Sequence, residues 1–128
     1  HRSIMIKKRP KHLALHLIKL PLPGIISILH RASGLLLFFA LPLLLLMLQM
    51  SLRSIETYSE LQTLLAHPLS KLAMLVLLWG FLHHFCAGLR YLAIDLHCVK
   101  SLKDARNSSK IVLLVSLSLT IILGAMLW

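Results

Sequence analysis

An uninterrupted apolar run from Gly34 to Leu48 is the feature that most constrains the fold of this chain. The run contains no polar side chain, whereas a surface helix of a soluble protein is polar over about half of its circumference. Hydrophobic residues make up 58% of the 128 residues, and the mean hydropathy is +0.83. This composition lies well outside the usual range of soluble domains. The sequence therefore predicts an all-α membrane protein.

Three segments are long and apolar enough to cross a membrane, and they cover about 24–49, 72–89 and 111–128. Eighteen helical residues extend roughly 27 Å, which is close to the thickness of the hydrocarbon core. Pro42 falls within the first span, where a membrane helix tolerates proline. No soluble domain remains once the spans are assigned. Residues 1–128 are therefore predicted to form a single membrane domain of three transmembrane helices.

The basic residues orient the three spans. The formal charge is +10, from 14 Lys and Arg against 4 Asp and Glu. Most of the basic residues precede the first span or lie between the second and third; they are Arg2, Lys7, Lys8, Arg9, Lys11 and Lys19, and Arg90, Lys100, Lys103, Arg106 and Lys110. The loop between the first two spans is balanced, with Arg53 and Lys71 against Glu56 and Glu60. Because basic residues accumulate on the cytoplasmic side, the N-terminus is predicted to be cytoplasmic and Trp128 to lie at the opposite interface.

The positive charge indicates contact with anionic lipid headgroups, because it lies between apolar runs. A nucleic-acid-binding protein is excluded, since the spans leave no domain to carry such a surface. The short chain has no obvious long presequence, which favours a bacterial plasma membrane over a mitochondrial inner membrane.

A short interfacial segment is predicted before the first span. His12, His16 and Lys19 share one helical face, and three leucines, Leu13, Leu17 and Leu20, share another. This pattern is typical of a short helix on the membrane surface, ended by Pro21 and Pro23. The leucines could equally pack on a neighbouring subunit.

The first polar cluster within a span comprises Ser27, His30 and Arg31. Ser27 lies one helical turn from both of the others, so one ligand could meet a hydroxyl, an imidazole and a guanidinium. In the alternative interpretation Arg31 reaches lipid phosphates and His30 lies at the interface. The spacing leaves both interpretations open.

The second polar cluster is His83–His84 in the second span. His84 lies six residues from Arg90, about 9 Å along a helix, which is deep for an unpaired imidazole. Gly80 and Gly88 flank it on the same face, where a flat macrocycle could approach and His84 could ligate haem iron. Alternatively, the glycines serve close helix packing and the imidazole bonds to another helix. His83 points about 100° away, so the two histidines cannot bind one iron.

Other chemistry finds no support in the sequence. There is no catalytic triad, phosphate-binding glycine-rich loop or intramembrane carboxylate pair. Cys86 and Cys98 form neither a zinc site nor a disulfide framework. Any chemistry must therefore come from a cofactor.

Two segments resemble signatures of the cytochrome b subunits of succinate dehydrogenase, the larger membrane anchors of respiratory complex II. The first comprises Arg9-Pro10 followed by Ser27-Ile28-Leu29-His30-Arg31-Ala32-Ser33. The second is His84-Phe85-Cys86-Ala87-Gly88-Leu89-Arg90, ending at Asp95. The segments occur in the family's order and on its spans, so the resemblance covers essentially the whole chain.

The resemblance implies a heteromeric helix bundle with a second membrane anchor, an iron–sulfur subunit and a flavoprotein. It implies that Ser27 and Arg31 line a ubiquinone-reduction pocket, and that His84 is one axial ligand of a haem b. The second ligand would come from the other anchor, and His30 and Arg31 would lie near the haem propionates. The function implied is electron transfer from succinate to ubiquinone.

The chain also departs from the family pattern, at Lys11, Tyr91, Ile94 and His97. In the family, a histidine at the position of Tyr91 can lie against the edge of the haem. The resemblance alone therefore does not imply a haem-edge contact for Tyr91. Two alternative functions are a fumarate reductase anchor, which carries electrons in the other direction, and a membrane scaffold without redox chemistry.

Overall fold

The structure is a computed structural model that describes residues 21–128. In this part of the chain there are four helices and no strand. The predicted interfacial segment before Pro21 lies outside the described residues and stays a prediction, as do Arg9-Pro10 and the departure at Lys11.

Three of the helices are long and apolar enough to cross a membrane, which confirms the predicted fold class. They are α1, Leu22–Arg53, α3, Pro68–Asp95, and α4, Leu102–Leu127. Helix α1 continues through Pro42 and carries an exposed arginine at Arg31 and another at Arg53. Each helix begins earlier than the predicted span, and in α3 and α4 the added turns contain polar residues, because backbone hydrogen bonding does not require an apolar side chain.

A short helix, α2, covers Ile55–Ala66, where the sequence indicated only a loop. Ser54 and Thr57 begin it with a capping box, in which each side chain accepts a hydrogen bond from the backbone N–H of the other residue. This reciprocal arrangement satisfies N–H groups that the first helical turn leaves without partners. Pro68 then begins α3, and proline suits the first turn of a helix.

Helix α3 packs against both α1 and α4, and small or polar side chains fill much of the interface. Ile26, Ala87 and Val112 form the apolar core, and the buried polar residues are Ser33, His83, Arg90, Ser109 and Ser116. Small residues let membrane helices approach closely. Most large apolar side chains are exposed, as expected for a surface that faces lipid or other subunits.

The Arg90 side chain connects α3 to α4 through hydrogen bonds. Its side chain is only 7% exposed, and its Nε donates to the hydroxyl of Ser108 at 3.0 Å. Its Nη2 lies 3.5 Å from the carbonyl oxygen of Ala105. Arg90 therefore contributes to the contact between these two helices.

One departure from the family pattern falls at the end of α3. His97 has a φ of 61°, and among the described residues it alone, glycines aside, adopts a positive φ. The left-handed region favours glycine, and histidine is among the other residues enriched there.

Candidate functional site

The imidazole of His84 lies against α1 at residues 30–34. Its Nδ1 is 3.2 Å from the carbonyl oxygen of His30 and 3.3 Å from the hydroxyl oxygen of Ser33. The Ser33 hydroxyl donates to the same carbonyl oxygen at 2.9 Å. Three polar atoms from two helices therefore meet at one edge of the ring.

This network determines which nitrogen of His84 carries the proton. A carbonyl oxygen cannot donate, and the single Ser33 proton already goes to that carbonyl. Nδ1 must therefore be the donor, so we assign neutral His84 as the Nδ1–H tautomer. Its Nε2 keeps a lone pair and makes no hydrogen bond to any of residues 21–128. Such a nitrogen can bind a metal ion.

The position of Gly34 explains how the ring approaches α1 so closely. A Cβ atom at residue 34 would lie 2.9 Å from Cε1 of His84. The ring is a rigid group, so any side chain at this position would displace it.

His30 and Tyr91 extend the site along both helices. The His30 ring is stacked on His84, with centroids 4.2 Å apart and planes 8° apart. Tyr91 meets the His30 ring edge-on, with centroids 5.1 Å apart. Tyr91 therefore contacts His30 rather than His84 directly.

The glycines beside His84 serve helix packing in this structure. A Cβ at Gly80 would lie 3.2 Å from Cδ2 of Leu36, and one at Gly88 would lie 3.9 Å from Nε2 of His30. Leu36 of α1 thus takes up the space beside Gly80, whereas the 3.9 Å distance at Gly88 is an ordinary contact. The His84 imidazole also bonds to another helix, α1, as the alternative interpretation of the sequence predicted.

Ser27 and Arg31 lie on α1 beside this cluster but outside its contacts. Ser27 is half-buried and Arg31 is exposed. Neither side chain forms a hydrogen bond or an ion pair with a residue of the part that the structure describes. Within this part of the chain, both groups therefore keep their hydrogen-bonding capacity.

His83 has the opposite environment from its neighbour. It is fully buried and its ring stacks on Trp79, with centroids 5.0 Å apart. Neither ring nitrogen has a hydrogen-bond partner, and the same holds for Nε1 of Trp79. Because His83 is enclosed, it cannot reach a group outside this helix bundle.

Within residues 21–128, no group of three or more His, Cys, Asp or Glu side chains could hold a bare metal ion. His84 thus offers a single nitrogen.

Comparison with known proteins identifies the family of the chain. Residues 5–123 match the family described as succinate dehydrogenase/fumarate reductase transmembrane subunit. The chain belongs to this family. A succinate dehydrogenase cytochrome b556 subunit from Coxiella burnetii (strain RSA 493 / Nine Mile phase I) is 37% identical over 125 residues, covering 97% of this chain and 100% of that protein.

As a succinate dehydrogenase/fumarate reductase transmembrane subunit, the chain is a membrane anchor of an oxidoreductase complex that contains further subunits. Sequence reasoning singled out His30, His84 and Tyr91, which the structure brings together. It did not single out Ser33 or Gly34, and it named Arg90 only as a basic residue at the end of the second span and as part of the second matching segment. Ser33 was visible only as the last residue of the first matching segment, because its contact depends on how α1 is aligned with α3.

Proposed function

We propose that this chain is the cytochrome b anchor of a succinate:ubiquinone oxidoreductase, holding haem b jointly with a second anchor subunit and forming part of the ubiquinone-reduction site. The observation that carries the proposal is the fixed imidazole of His84. Its Nδ1–H is bonded to α1 while the Nε2 lone pair has no partner among the described residues.

The His84 environment fits an axial haem ligand. Histidines that bind metals commonly donate their other ring N–H to a backbone carbonyl, which fixes the tautomer and the ring plane. The His30 carbonyl does this here. His84 would supply one protein nitrogen to the haem iron, and a second protein ligand would come from the partner anchor. When bound, the haem group accepts and returns single electrons.

His30 and Arg31 are proposed to face the haem propionates. Arg31 is exposed and permanently charged, so its guanidinium can donate in parallel to a carboxylate. His30 already stacks on His84, which places a potential donor beside the ligand. Tyr91 is proposed only as a support for His30, since its ring meets that residue.

Ser27 and Arg31 are proposed to bind the ubiquinone head group. A quinone carbonyl gains negative charge during reduction, and donors aimed at that oxygen stabilise the charge. The Ser27 hydroxyl and the Arg31 guanidinium lie one helical turn apart on α1 and have no partner among the described residues. Arg31 stays charged throughout, so it stabilises the reduced form without supplying a proton.

The charge pattern supports a cytoplasmic N-terminus, which places Ser27 and Arg31 near the cytoplasmic surface. There the iron–sulfur subunit would dock and receive electrons from the flavoprotein. The bacterial source of the relative supports a bacterial plasma membrane.

The proposal is tested by a redox difference spectrum of the purified complex with two variants of neighbouring residues. We expect His84→Ala to weaken or shift the low-spin haem bands, because it removes the ligand. We expect His83→Phe to leave them nearly intact, since phenylalanine retains an aromatic ring at an enclosed position.

The opposite pattern would assign the ligand to His83. Wild-type complex without a Soret band would instead favour a non-redox scaffold.

A fumarate reductase anchor is the second candidate, because the family description includes both enzymes. The name of the 37% identical relative favours succinate dehydrogenase. The two differ in the potential of the quinone used, so the quinone extracted with the complex distinguishes them.

A further inference from the structure

We infer that Ser33 and Gly34 are positioning residues for His84, and that together they fix the orientation in which its Nε2 can bind a metal. The inference rests on the proposed function, in which His84 ligates haem iron. It adds a role for two α1 residues that bear no ligand atom themselves.

Ser33 helps to select one of the two ring orientations. If the His84 ring turned by 180°, a C–H group would replace Nδ1–H opposite the His30 carbonyl and the Ser33 oxygen. Both hydrogen bonds, at 3.2 and 3.3 Å, would then be lost. Ser33 is only 3% exposed, so water cannot easily take its place. The hydroxyl thus favours the orientation that leaves Nε2 free.

Other buried serines show that the contact is particular to Ser33. Ser109 and Ser116 are fully buried, and their hydroxyls donate to carbonyls of their own helix at 2.8 and 3.2 Å. Ser33 makes a similar local bond but is also within reach of a histidine on another helix. Among residues 21–128, no other serine hydroxyl contacts a histidine ring. Ser116 is therefore a matched control.

Gly34 determines how closely the ring can approach α1. In Gly34→Ala the new methyl group would lie 2.9 Å from Cε1 of His84. The ring would have to tilt, which moves Nε2 and strains the bond to the iron. We therefore expect Gly34→Ala to disturb the haem more than Ser33→Ala does.

The expected size of the Ser33 effect follows from the acceptor that remains. Loss of an outer-shell partner typically costs about 10–100-fold in metal affinity. In Ser33→Ala the His30 carbonyl still accepts a hydrogen bond from Nδ1 of His84. We therefore expect an effect near the lower end of this range, with haem lost on the order of 10-fold faster. The weaker hydrogen bond also makes the imidazole less basic, so the midpoint potential should become more positive.

The experiment uses the purified complex with all its subunits, in wild-type, Ser33→Ala, Ser33→Thr, Gly34→Ala and Ser116→Ala forms. The measurements are haem content, the rate of haem transfer to apomyoglobin, the midpoint potential and the low-spin electron paramagnetic resonance signal. We expect faster transfer and a more positive potential in Ser33→Ala, recovery in Ser33→Thr, and wild-type values in Ser116→Ala. Gly34→Ala should broaden or shift the low-spin signal.

The inference is wrong if Ser33→Ala matches wild type in transfer rate and potential while His84→Ala loses the haem; the proposed function would then survive. It is also wrong if Ser116→Ala shifts both quantities as much as Ser33→Ala. If His84→Ala keeps a normal haem, the proposed function itself fails. Should Ser33→Ala not assemble, Ser33→Cys supplies the same measurement, because sulfur is a weak acceptor of similar size.

Discussion

Two adjacent histidines on α3 differ in what surrounds their ring nitrogens. His84 is held by the backbone and a hydroxyl of α1, whereas both nitrogens of His83 are buried without partners. Depth in the membrane marked both residues as unusual in the sequence, and helical geometry showed that they point in different directions. The sequence could not show that Ser33 and Gly34 lie opposite His84, because that depends on the packing of two distant segments.

Ser27 and Arg31 lead to a prediction at the same scale. In Ser27→Ala and Arg31→Leu we expect succinate-to-ubiquinone activity to fall by about 100-fold or more, since one donor to a developing oxyanion contributes on the order of 3 kcal/mol. Succinate oxidation with a soluble dye should persist, because those electrons can leave before the quinone site. The measurement is a comparison of both acceptors on the same membranes.

Ser118→Ala is a control on α4, at an exposed hydroxyl remote from α1 in sequence. If both activities survive in the Ser27 and Arg31 variants, these residues are interfacial anchors. If both activities fall together with loss of the complex, their role is structural.

At the scale of elements, hydropathy predicted the three spans but not the full helices. Helix α4 extends into polar sequence over residues 102–110. Hydropathy gives no signal there, but the backbone hydrogen bonding of the helix continues. Helix α2 was missed because its twelve residues are too few to span a membrane and too mixed to stand out. The residues that could have predicted α2 are the capping pair Ser54 and Thr57 at its start and Pro68 shortly after its end.

The contact between Arg90 and Ser108 gives a prediction about the pairing of α3 with α4. Hydrogen bonds to charged groups contribute about 1.5–3 kcal/mol. We expect Arg90→Met and Ser108→Ala each to lower the free energy of unfolding, and the double variant to lose less than the sum. The measurement is a double-mutant cycle by denaturant titration of the purified complex. Strict additivity would show that the 3.0 Å contact contributes nothing.

At the scale of the whole molecule, the interior of the described part is narrow and much of the apolar surface faces outward. The side chains with no exposed area include Ile26, Ala87, His83, Ser109 and Ser116, and three of these five are polar. A bundle of this kind leaves broad faces for lipid and for other membrane helices. The sequence predicted a heteromeric bundle through the family resemblance; the outward-facing apolar residues are compatible with it.

The chain expressed without its partners is therefore predicted to have no function of its own. We expect little six-coordinate haem, because His84 supplies one nitrogen, and no succinate oxidation, because residues 21–128 form helices without a flavin-binding domain. The measurement is a difference spectrum and a dye assay on membranes that contain the chain alone. Recovery of a six-coordinate, quinone-reducing single chain would contradict the prediction, and the complete complex is the positive control.

The two exposed arginines of α1 are separated by a distance close to the thickness of the hydrocarbon core of a membrane. Arg31 and Arg53 are 22 residues apart, since 53 − 31 = 22, which corresponds to roughly 33 Å of helix. This separation is slightly greater than the hydrocarbon thickness of about 30 Å. The two arginines therefore lie near opposite surfaces of the hydrocarbon core, and a markedly thicker bilayer would draw one charge into hydrocarbon. Hydrophobic matching would then hold Ser27 at headgroup depth, where water can deliver the protons that a reduced quinone takes up.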